Sequence, residues 1–485
     1  MTAVADSLAP ASAGADVLGH PKGLVTLAGT ELWERISFHG MLALLTLYMA
    51  EQLFRPGHIE KIVGFAAFRA TLESLTGPLS TEALAAQIFG LYIGLIYFTP
   101  VFGGLVGDRW IGRRNAVILG GVLMALGHFC MAFDQSFLLA LALLIAGAGF
   151  LRGNLIAQVG ALYAEGDRRR GSGIQIYYAM VNVGGFVAPL ITGALGQSYG
   201  WHFGFGFAGI GMLAGIAIYL FGARGLKADT PKAEARPREP LTPAERGQVL
   251  QLVLLLPLLT LFWVAQSQDW NVYNLWARDH VDLVVLGWKM PVPWVQSLAG
   301  VTSVAPVPLV LAFWRWLSRH GREPDDFGKL AIGCLMFAGF TALDGGASLL
   351  FGTGNKIPFL WIVFTNCGLA IGYLHVQPVA ISHFSRTAPR SVNAMMVGVY
   401  FLSIFAGSLI SGRLGGLYEQ WSPTAFWLLH AAIVGVAGAG FLFASRLFRA
   451  AGLDGVTIAA LPGPPLQAWT LKPGTAPRPP RSPRR

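Results

Sequence analysis

Long apolar segments, separated by short polar ones, recur along almost the whole chain. We predict that twelve of them are membrane-spanning helices, because crossing a bilayer core of about 30 Å takes roughly 20 apolar residues in an α-helix. Six lie near residues 24–53, 83–106, 114–133, 136–162, 173–198 and 201–223. Six more lie near residues 247–270, 293–317, 327–351, 357–384, 392–418 and 423–450. The pattern therefore predicts an all-α integral membrane protein.

Two polar stretches divide and end this series of helices. Residues 224–246 are rich in Pro, Lys, Arg and Glu and separate the first six helices from the last six. The end of the chain is rich in Pro and Arg, which is typical of a disordered tail. The predicted parts are a cytoplasmic N-terminal segment (1–23), a six-helix bundle (24–223), a cytoplasmic linker (224–246), a second six-helix bundle (247–450) and a cytoplasmic tail (451–485).

Charge is scarce and unevenly placed. Hydrophobic residues make up 54% of the chain and charged residues 12%, against about 25% charged in soluble proteins. The connections on one side of the predicted membrane hold 18 Lys and Arg and those on the other side 6, so we expect the first side, with both termini, to be cytoplasmic. The first 23 residues lack the features of a cleavable signal peptide. The distribution of the positive charges thus indicates how the protein is oriented in a cell (inner) membrane. We therefore predict no nucleic-acid partner, although the net charge is +10.

The first predicted helix carries charges at membrane depth. Glu31, Glu34 and Arg35 stand at positions i, i+3 and i+4 and therefore share one helical face. Phe38 and His39 continue that face, and His39 is either a further proton carrier or a neutral, hydrogen-bonded histidine. Because a charge within a bilayer costs at least about 2.5 kcal/mol, such residues usually face a protein interior on a transport path. A structural ion pair near a helix end is the alternative interpretation.

The chain lacks a candidate motif for enzyme chemistry. Cys130, Cys334 and Cys367 lie in separate apolar runs, and the histidines show no mutual metal-ligand spacing. We find no phosphate-binding loop and no nucleophile with a partner base. We therefore predict that the protein is not an enzyme and that it has no metal and no cofactor.

A charged loop follows the second predicted helix, with the sequence Gly104-Leu-Val-Gly-Asp108-Arg109-Trp-Ile-Gly112-Arg113. It resembles the signature loop of the major facilitator superfamily. The two residues between Arg109 and Gly112 give a spacing similar to that of the proton-dependent oligopeptide transporter family. By this resemblance the loop has a structural or gating role, in which an acid and several bases bridge neighbouring helix ends.

Further motifs resemble the same family over nearly the whole predicted membrane region. They are Glu31-Leu-Trp-Glu34-Arg35, Gly147-Ala-Gly149-Phe-Leu-Arg152-Gly-Asn154, Tyr177-Tyr-Ala-Met-Val-Asn182-Val-Gly184, and Phe262-Trp263 through Gln268. The resemblance implies a major facilitator fold of twelve helices in two six-helix halves. It also implies proton-driven import of di- or tripeptides, with the substrate, protons and membrane lipids as partners.

The resemblance assigns roles to individual residues as well. Arg35 and Arg152 would receive the peptide carboxylate, which two guanidinium groups can hold by forked hydrogen bonds. The proton-coupling candidates are Glu31, Glu34, Arg35 and Arg152, together with His39. The other candidate substrate contacts are Phe38, Tyr97, Asn182, Trp263, Gln266, Tyr373 and Tyr400.

Two of the departures from the family pattern bear directly on the charges that would hold a peptide. Arg152 replaces a lysine, and Tyr373 replaces the tenth-helix glutamate that usually receives the peptide amino group. Asp269 is a candidate replacement acid, whereas we expect Asp344 to lie at the outer edge of its helix. Without a replacement, the substrate would be an anionic or N-modified compound. A non-transporting, receptor-like member is a further alternative.

Overall fold

The computed structural model of the protein describes residues 16–17, 19–164, 167–226, 240–302, 304–352, 354–389 and 391–450. The predicted tail at 451–485, most of the N-terminal segment and most of the linker lie outside these residues. The parts of the chain that are described are mostly helical.

The first half of the described chain crosses the membrane six times. Its helices are α1 (Lys22–Tyr48), α2 (Phe65–Thr76), α3 (Thr81–Phe98), α4 (Pro100–Val106), α5 (Arg113–Cys130), α6 (Phe137–Ala161), α7 (Arg169–Tyr199) and α8 (Trp201–Gly222). α3 and α4 belong to one span, which ends in a π-helical turn at Gly107–Ile111. α2 is a short helix in the connection between the first two spans.

The second half repeats this number of crossings. Its helices are α9 (Pro243–Trp270), α10 (Tyr273–His280), α11 (Val295–Thr302), α12 (Val307–Arg319), α13 (Asp326–Phe351), α14 (Phe359–Thr387), α15 (Asn393–Gly415) and α16 (Pro423–Ala450). α11 and α12 belong to one span. The connections hold the short strands β1 (Val281–Asp282), β2 (Val284–Val285), β3 (Trp288–Lys289) and β4 (Ile357–Pro358), with β1 parallel to β4 and β2 antiparallel to β3.

Among the described residues, ten spans are long enough and apolar enough to cross a membrane, judged by length and composition alone. The two remaining spans carry charge: α1 contains Glu31, Glu34 and Arg35, and α5 begins at Arg113 and Arg114. Their packing places both helices within the bundle, since α1 contacts α7 and α8, and α5 contacts α6 and α8. The predicted all-α fold of twelve membrane helices is confirmed.

Local sequence signals start and stop several helices. The Ser80 side chain accepts a hydrogen bond from the Ala83 amide at the start of α3. Thr242 and Glu245 form a capping box that begins α9. Gly200, with φ of +114°, separates α7 from α8 in a conformation that other L-residues rarely adopt. The sharp turns between consecutive spans therefore have local causes.

The surface of the bundle exposes large apolar side chains. Phe221 is 88% exposed, Leu309 74% and Leu349 72%. Extensive exposed apolar surface marks a contact with membrane or another protein. The exposed side chains suit contact with lipid acyl chains around a multi-pass membrane protein.

The two halves approach each other along two helix pairs. α3 packs against α15, and α7 packs against α11. A Cβ atom added at Gly90 of α3 would lie 2.4 Å from the Ser408 carbonyl oxygen, and one at Gly300 of α11 would lie 2.8 Å from Phe186 Cα. Only glycine fits such close approaches of backbone to backbone.

The two ends of the bundle differ in their polar contacts. We call the end of the bundle that holds Asp108 and Thr242 the linker face. We call the opposite end, which holds Glu51, Glu82 and Arg278, the distal face. At the distal face, Arg278 of α10 lies 2.9 Å from Glu82 at the start of α3 and 3.4 Å from Glu51 in the π-helical turn (Met49–Leu53) that follows α1. These ion pairs join the second half to the first.

Two asparagines strengthen the same junction. The Asn271 Nδ2 atom donates to the Ala86 carbonyl oxygen at 3.1 Å, and its Oδ1 atom accepts from the Thr46 hydroxyl at 3.3 Å. Asn274 donates to the Ala43 carbonyl oxygen at 3.2 Å. The distal face is therefore held closed by contacts from α9 and α10 to α1 and α3.

Replacing Arg278 by Gln is expected to loosen the distal face, because Glu51, Glu82 and Asp279 would lose their shared cation. The loss of charged hydrogen bonds should favour separation of the halves by about 1.5 to 3 kcal/mol. A membrane-impermeant maleimide should then label a cysteine placed at the buried Thr46 faster than in the parent protein, both with the native cysteines changed to serine.

The Arg278→Lys variant retains the positive charge and serves as the matched control. It should label at nearly the parental rate. Equal labelling of Arg278→Gln and the parent would mean that this ion bridge does not keep the distal face closed.

Candidate functional site

The charges predicted on the first helix lie inside the first half of the bundle. α1 carries Glu31, Glu34 and Arg35, and α6 contributes Arg152. Glu31 is 1% exposed and Glu34 0%, and the side chains of Arg35 and Arg152 are 14% and 9% exposed. We call these four residues the charge cluster. It is almost fully removed from both lipid and bulk water.

Glu34 is the centre of the charge cluster. The Arg35 Nε atom lies 2.6 Å from Glu31 Oε1 and 2.9 Å from Glu34 Oε2. The Arg152 Nε atom donates to Glu34 Oε1 at 2.9 Å. Two acids and two bases balance formally, which lowers the cost of burying them, whereas removing one partner would leave an uncompensated charge. The ion pairs also join α1 to α6.

Tyr177 connects the charge cluster to α7. Its hydroxyl group donates a hydrogen bond to Glu31 Oε2, and its side chain is buried. No role for Tyr177 is predicted from the sequence. The available signal was its position at the start of the Tyr177-Tyr-Ala-Met-Val-Asn182 motif, five residues before a predicted site residue.

Phe38 provides an aromatic surface for both guanidinium groups. The Arg152 Cζ atom lies 4.0 Å from the centre of the Phe38 ring, and the Arg35 Cζ atom lies 5.6 Å from it. A planar guanidinium can stack on a ring while its edge forms hydrogen bonds, which a lysine ammonium cannot do in the same way. This geometry accounts for an arginine at position 152.

His39 lies against α7, where α7 has two successive glycines. A Cβ atom at Gly185 would lie 3.4 Å from His39 Nε2, and one at Gly184 would lie 2.5 Å from Arg35 Cβ. The absence of side chains at these two positions lets α7 pack directly on the charged face of α1. The role of His39 as a proton carrier stays a prediction.

The charge cluster has an unused donor. Within the described chain, Arg152 Nη2 is buried and has no hydrogen-bond partner. Protonation of Glu34 would remove the negative charge that now occupies Arg152 Nε. The guanidinium could then present Nε and Nη2 together to an incoming carboxylate. The cluster can therefore bind an anion when it loses one of its own negative charges by protonation.

The predicted aromatic contacts form a second group, which crosses from one half to the other. The rings of Tyr97 and Phe401 stack with centres 6.2 Å apart, and Tyr400 packs on Phe401 at 5.4 Å. Trp263 and Tyr373 meet edge to face at 6.2 Å. Trp263 and Tyr400 are fully buried, whereas Tyr97 and Tyr373 are half-buried. Tyr97 and Tyr373 are thus the more accessible members.

The two predicted amide contacts form hydrogen bonds within the protein. Asn182 Nδ2 donates to the Tyr178 carbonyl oxygen at 3.1 Å. Gln266 is buried, and its Nε2 atom donates to Asp269 Oδ2 at 3.2 Å. Their roles in substrate binding, like those of the aromatic residues, stay predictions.

Asp344 lies in the outer part of its helix and is buried there. It is 2% exposed and lies on α13, seven residues before the helix ends at Phe351. The helix continues past the carboxylate and neighbouring helices cover it. The sequence carried no signal for this burial, because it depends on how α14 and α16 pack against α13.

The charged loop after α4 forms the predicted local ion pair. Arg113 Nε donates to Asp108 Oδ1 at 2.9 Å, Gly112 adopts φ of +80°, and Arg109 is exposed. Gly104, which the motif also contains, has open space where a Cβ atom would lie. Its place in the motif is therefore not explained by local packing.

Two neighbouring glycines instead provide the close contacts near this loop. A Cβ atom at Gly103 would lie 2.1 Å from the Gly149 carbonyl oxygen, and one at Gly107 would lie 2.3 Å from Asn154 Oδ1. Asn154 Nδ2 donates to the Gly103 carbonyl oxygen at 3.0 Å. Asn154 is a motif residue with no role predicted from the sequence, and the structure shows that it joins α4 to α6.

A twelve-helix bundle that encloses balanced charges at membrane depth, with two halves joined at one face, defines a membrane transport protein rather than an enzyme. Residues 41–412 match the family model described as Major Facilitator Superfamily. The chain belongs to the Major Facilitator Superfamily.

Individual relatives agree with the predicted resemblance to the proton-dependent oligopeptide transporter family. The chain is 27% identical to the peptide transporter YePEPT of Yersinia enterocolitica, covering 83% of this chain and 89% of the relative. It is 26% identical to a di-/tripeptide transporter of Lactococcus lactis, covering 87% and 93%. A crystal structure of peptide transporter POT in complex with sulfate is 27% identical, covers 90% of this chain and 96% of its own, and has a TM-score of 0.77. The predicted family resemblance is confirmed.

Substituting Ala for Gly184 is expected to separate α7 from α1, since the new Cβ atom would overlap Arg35. Such overpacking typically costs about 1 to 3 kcal/mol. The midpoint of thermal unfolding in detergent should fall accordingly. Gly206→Ala on α8 is the matched control, because nothing lies within 4 Å of its Cβ position. Equal midpoints for the two variants would contradict tight α1–α7 packing at the charge cluster.

Proposed function

We propose that the protein is a proton-coupled symporter that imports short peptides across the cell (inner) membrane by alternating access. The observation that carries the proposal is the buried charge cluster, in which Glu34 lies between Arg35 and Arg152. The linker face, with the larger number of Lys and Arg in its connections, is oriented toward the cytoplasm. The distal face then faces the side from which the substrate enters.

Proton coupling follows from competition at Arg152. When Glu34 is ionised, it occupies Arg152 Nε. When Glu34 is protonated, Arg152 can bind the carboxylate of the substrate instead, with its Nη2 atom already unpaired. Loss of the proton restores the ion pair and displaces the substrate. Proton binding and substrate binding therefore favour each other, which is the requirement for symport.

The amino end of the peptide requires a different contact, because Tyr373 cannot supply a negative charge. An ammonium group can bind to the face of an aromatic ring, which contributes about 0.5 to 2 kcal/mol. Tyr97 and Tyr373 are half-buried members of an aromatic group that spans the two halves. We assign the amino end to this group and the carboxylate end to Arg35 and Arg152.

Peptides are the preferred substrate class over anionic or N-modified compounds. The relatives named above are peptide transporters, which supports peptides for this chain. Alternating access would require the contacts of Arg278, Asn271 and Asn274 at the distal face to break while those at the linker face form. The helix pairs α3–α15 and α7–α11 would remain packed during this motion.

Replacing Glu34 by Gln should abolish uptake driven by a pH gradient, because the side chain can no longer gain or lose a proton. Exchange of substrate across the membrane without a gradient should persist. Both activities are measured in proteoliposomes that contain purified protein and a labelled dipeptide. Glu60→Gln, in a solvent-exposed loop, controls for the loss of an acid. Gradient-driven uptake at the parental level in Glu34→Gln would exclude this residue as the proton carrier.

Replacing Tyr373 by Glu should raise the affinity for dipeptides with a free amino group, because an ammonium–carboxylate pair replaces a weaker aromatic contact. Affinity for the same dipeptides with an acetylated amino group should fall or stay unchanged. Competition with a labelled substrate measures both affinities, and Tyr373→Phe, which retains the ring, should behave like the parent. A similar change for free and acetylated peptides would place the amino end elsewhere. If the parent protein takes up only acetylated peptides or simple carboxylates, this result would support the alternative that the substrate is an anionic or N-modified compound.

A further inference from the structure

An open cavity lies at the linker face of the first half, between the start of α5, the end of α6 and the start of α7. Its volume is about 460 Å³, which is in the size range of small-molecule sites. Two bases, Arg113 and Arg170, line it. Its other lining residues are small or apolar and include Ile156, Gly160 and Ile174. No residue of the charge cluster lines this cavity.

The cavity continues along α6 from the charge cluster. Ile156 and Gly160 follow Arg152 by four and eight residues, so they lie one and two helical turns nearer the linker face. At 1.5 Å per residue, about 12 Å separates Arg152 from Gly160 along the helix. A Cβ atom added at Gly160 would lie 3.4 Å from Arg170 Nη2. The Arg170 guanidinium therefore reaches across to α6 at a level about two turns beyond Arg152.

The same continuity holds on α7. Arg170 and Ile174 precede Tyr178 by eight and four residues and thus lie on successive turns below it. Tyr178 is 53% exposed and packs edge to face on Tyr177, with ring centres 5.8 Å apart. The Tyr177 hydroxyl group in turn donates to Glu31 of the charge cluster. Two helices therefore connect the charge cluster to the two bases at the linker face.

The two bases are not balanced by acids of the cavity wall, since no acid is among its lining residues. Arg113 binds Asp108 through its Nε atom, which leaves its Nη atoms for a second acceptor. The Arg170 guanidinium forms no hydrogen bond or ion pair with any residue that the structure describes. Two like charges that share one cavity produce a positive potential, which attracts anions.

We propose that Arg113 and Arg170 form a second anion-binding site, which receives the carboxylate of the substrate after it leaves Arg152. The Arg113 side chain is 33% exposed and Arg170 is exposed, so ion pairs formed there are weak and readily broken. Such a site suits release better than capture. The assignment rests on the proposed import, in which deprotonation of Glu34 frees the carboxylate from Arg152 while the distal face is closed.

Charged thiol reagents test the positive potential without transport, in protein whose native cysteines are changed to serine and which carries Ala161→Cys in the cavity wall. The rates for anionic sulfonatoethyl methanethiosulfonate and cationic trimethylammonioethyl methanethiosulfonate are each divided by the rate with free mercaptoethanol. The normalised anionic rate should exceed the cationic one, and their ratio should fall about threefold in Arg170→Gln.

Arg168→Gln is the matched control, because Arg168 is exposed nearby and does not line the cavity. This variant should keep the parental ratio. Arg113→Gln should lower the ratio as Arg170→Gln does, so a folding defect in one variant leaves the other informative. Equal ratios in the parent, Arg170→Gln and Arg113→Gln would overturn the proposal.

Substrate protection tests the ligand class. A dipeptide with a free carboxylate should slow modification of the introduced thiol, whereas the same dipeptide with an amidated carboxyl group should not. Protection should be lost in Arg170→Gln and retained in Arg168→Gln, and protection that survives in Arg170→Gln would exclude the second site. A parent that takes up no dipeptide, yet whose rate ratio falls in Arg170→Gln, would contradict the proposed import and not the anion-binding site.

Discussion

The first half of the protein depends on one carboxylate that serves two arginines. Glu34 pairs with Arg35 on its own helix and with Arg152 on α6. Arg35 also pairs with Glu31, whereas among the described residues Arg152 has no other ion-pair partner to offset its burial. The same cluster explains why α7 has glycine at position 184. A side chain there would push α7 away from the charged face of α1, and Tyr177 would lose its contact with Glu31.

The two halves handle buried charge differently. In the first half, acids and bases balance, so a proton or an anionic ligand must displace an existing ion pair. In the second half, Asp344 is buried, and within the described chain its Oδ1 atom has no hydrogen-bond partner and it forms no ion pair. The halves have the same number of spans, yet their buried charges are distributed asymmetrically. Contacts at the distal face connect the two halves, because Asn274 joins α1 to Gln296 of α11.

Much of the fold was accessible from the sequence, because apolar length is a local property. The described helices begin and end close to the predicted segments, and the charged α1 was identified as a membrane helix by its apolar flanks. The site was only partly accessible. Glu31, Glu34 and Arg35 share a face by helical spacing alone, but spacing cannot indicate that Tyr177 reaches Glu31 from α7. Nor could it indicate that Asp344, near the end of α13, is covered by other helices.

The sequence by itself determined which segments span the membrane, which helix carries buried charge, and which family the motifs resemble. These properties follow from composition and from spacing within one segment. Only the tertiary structure decided which polar groups meet: Arg152 with Glu34, and Tyr177 with Glu31. Such partners come from different helices, and their separation depends on how closely the backbones pack, down to glycines whose Cβ positions are already occupied by a neighbour.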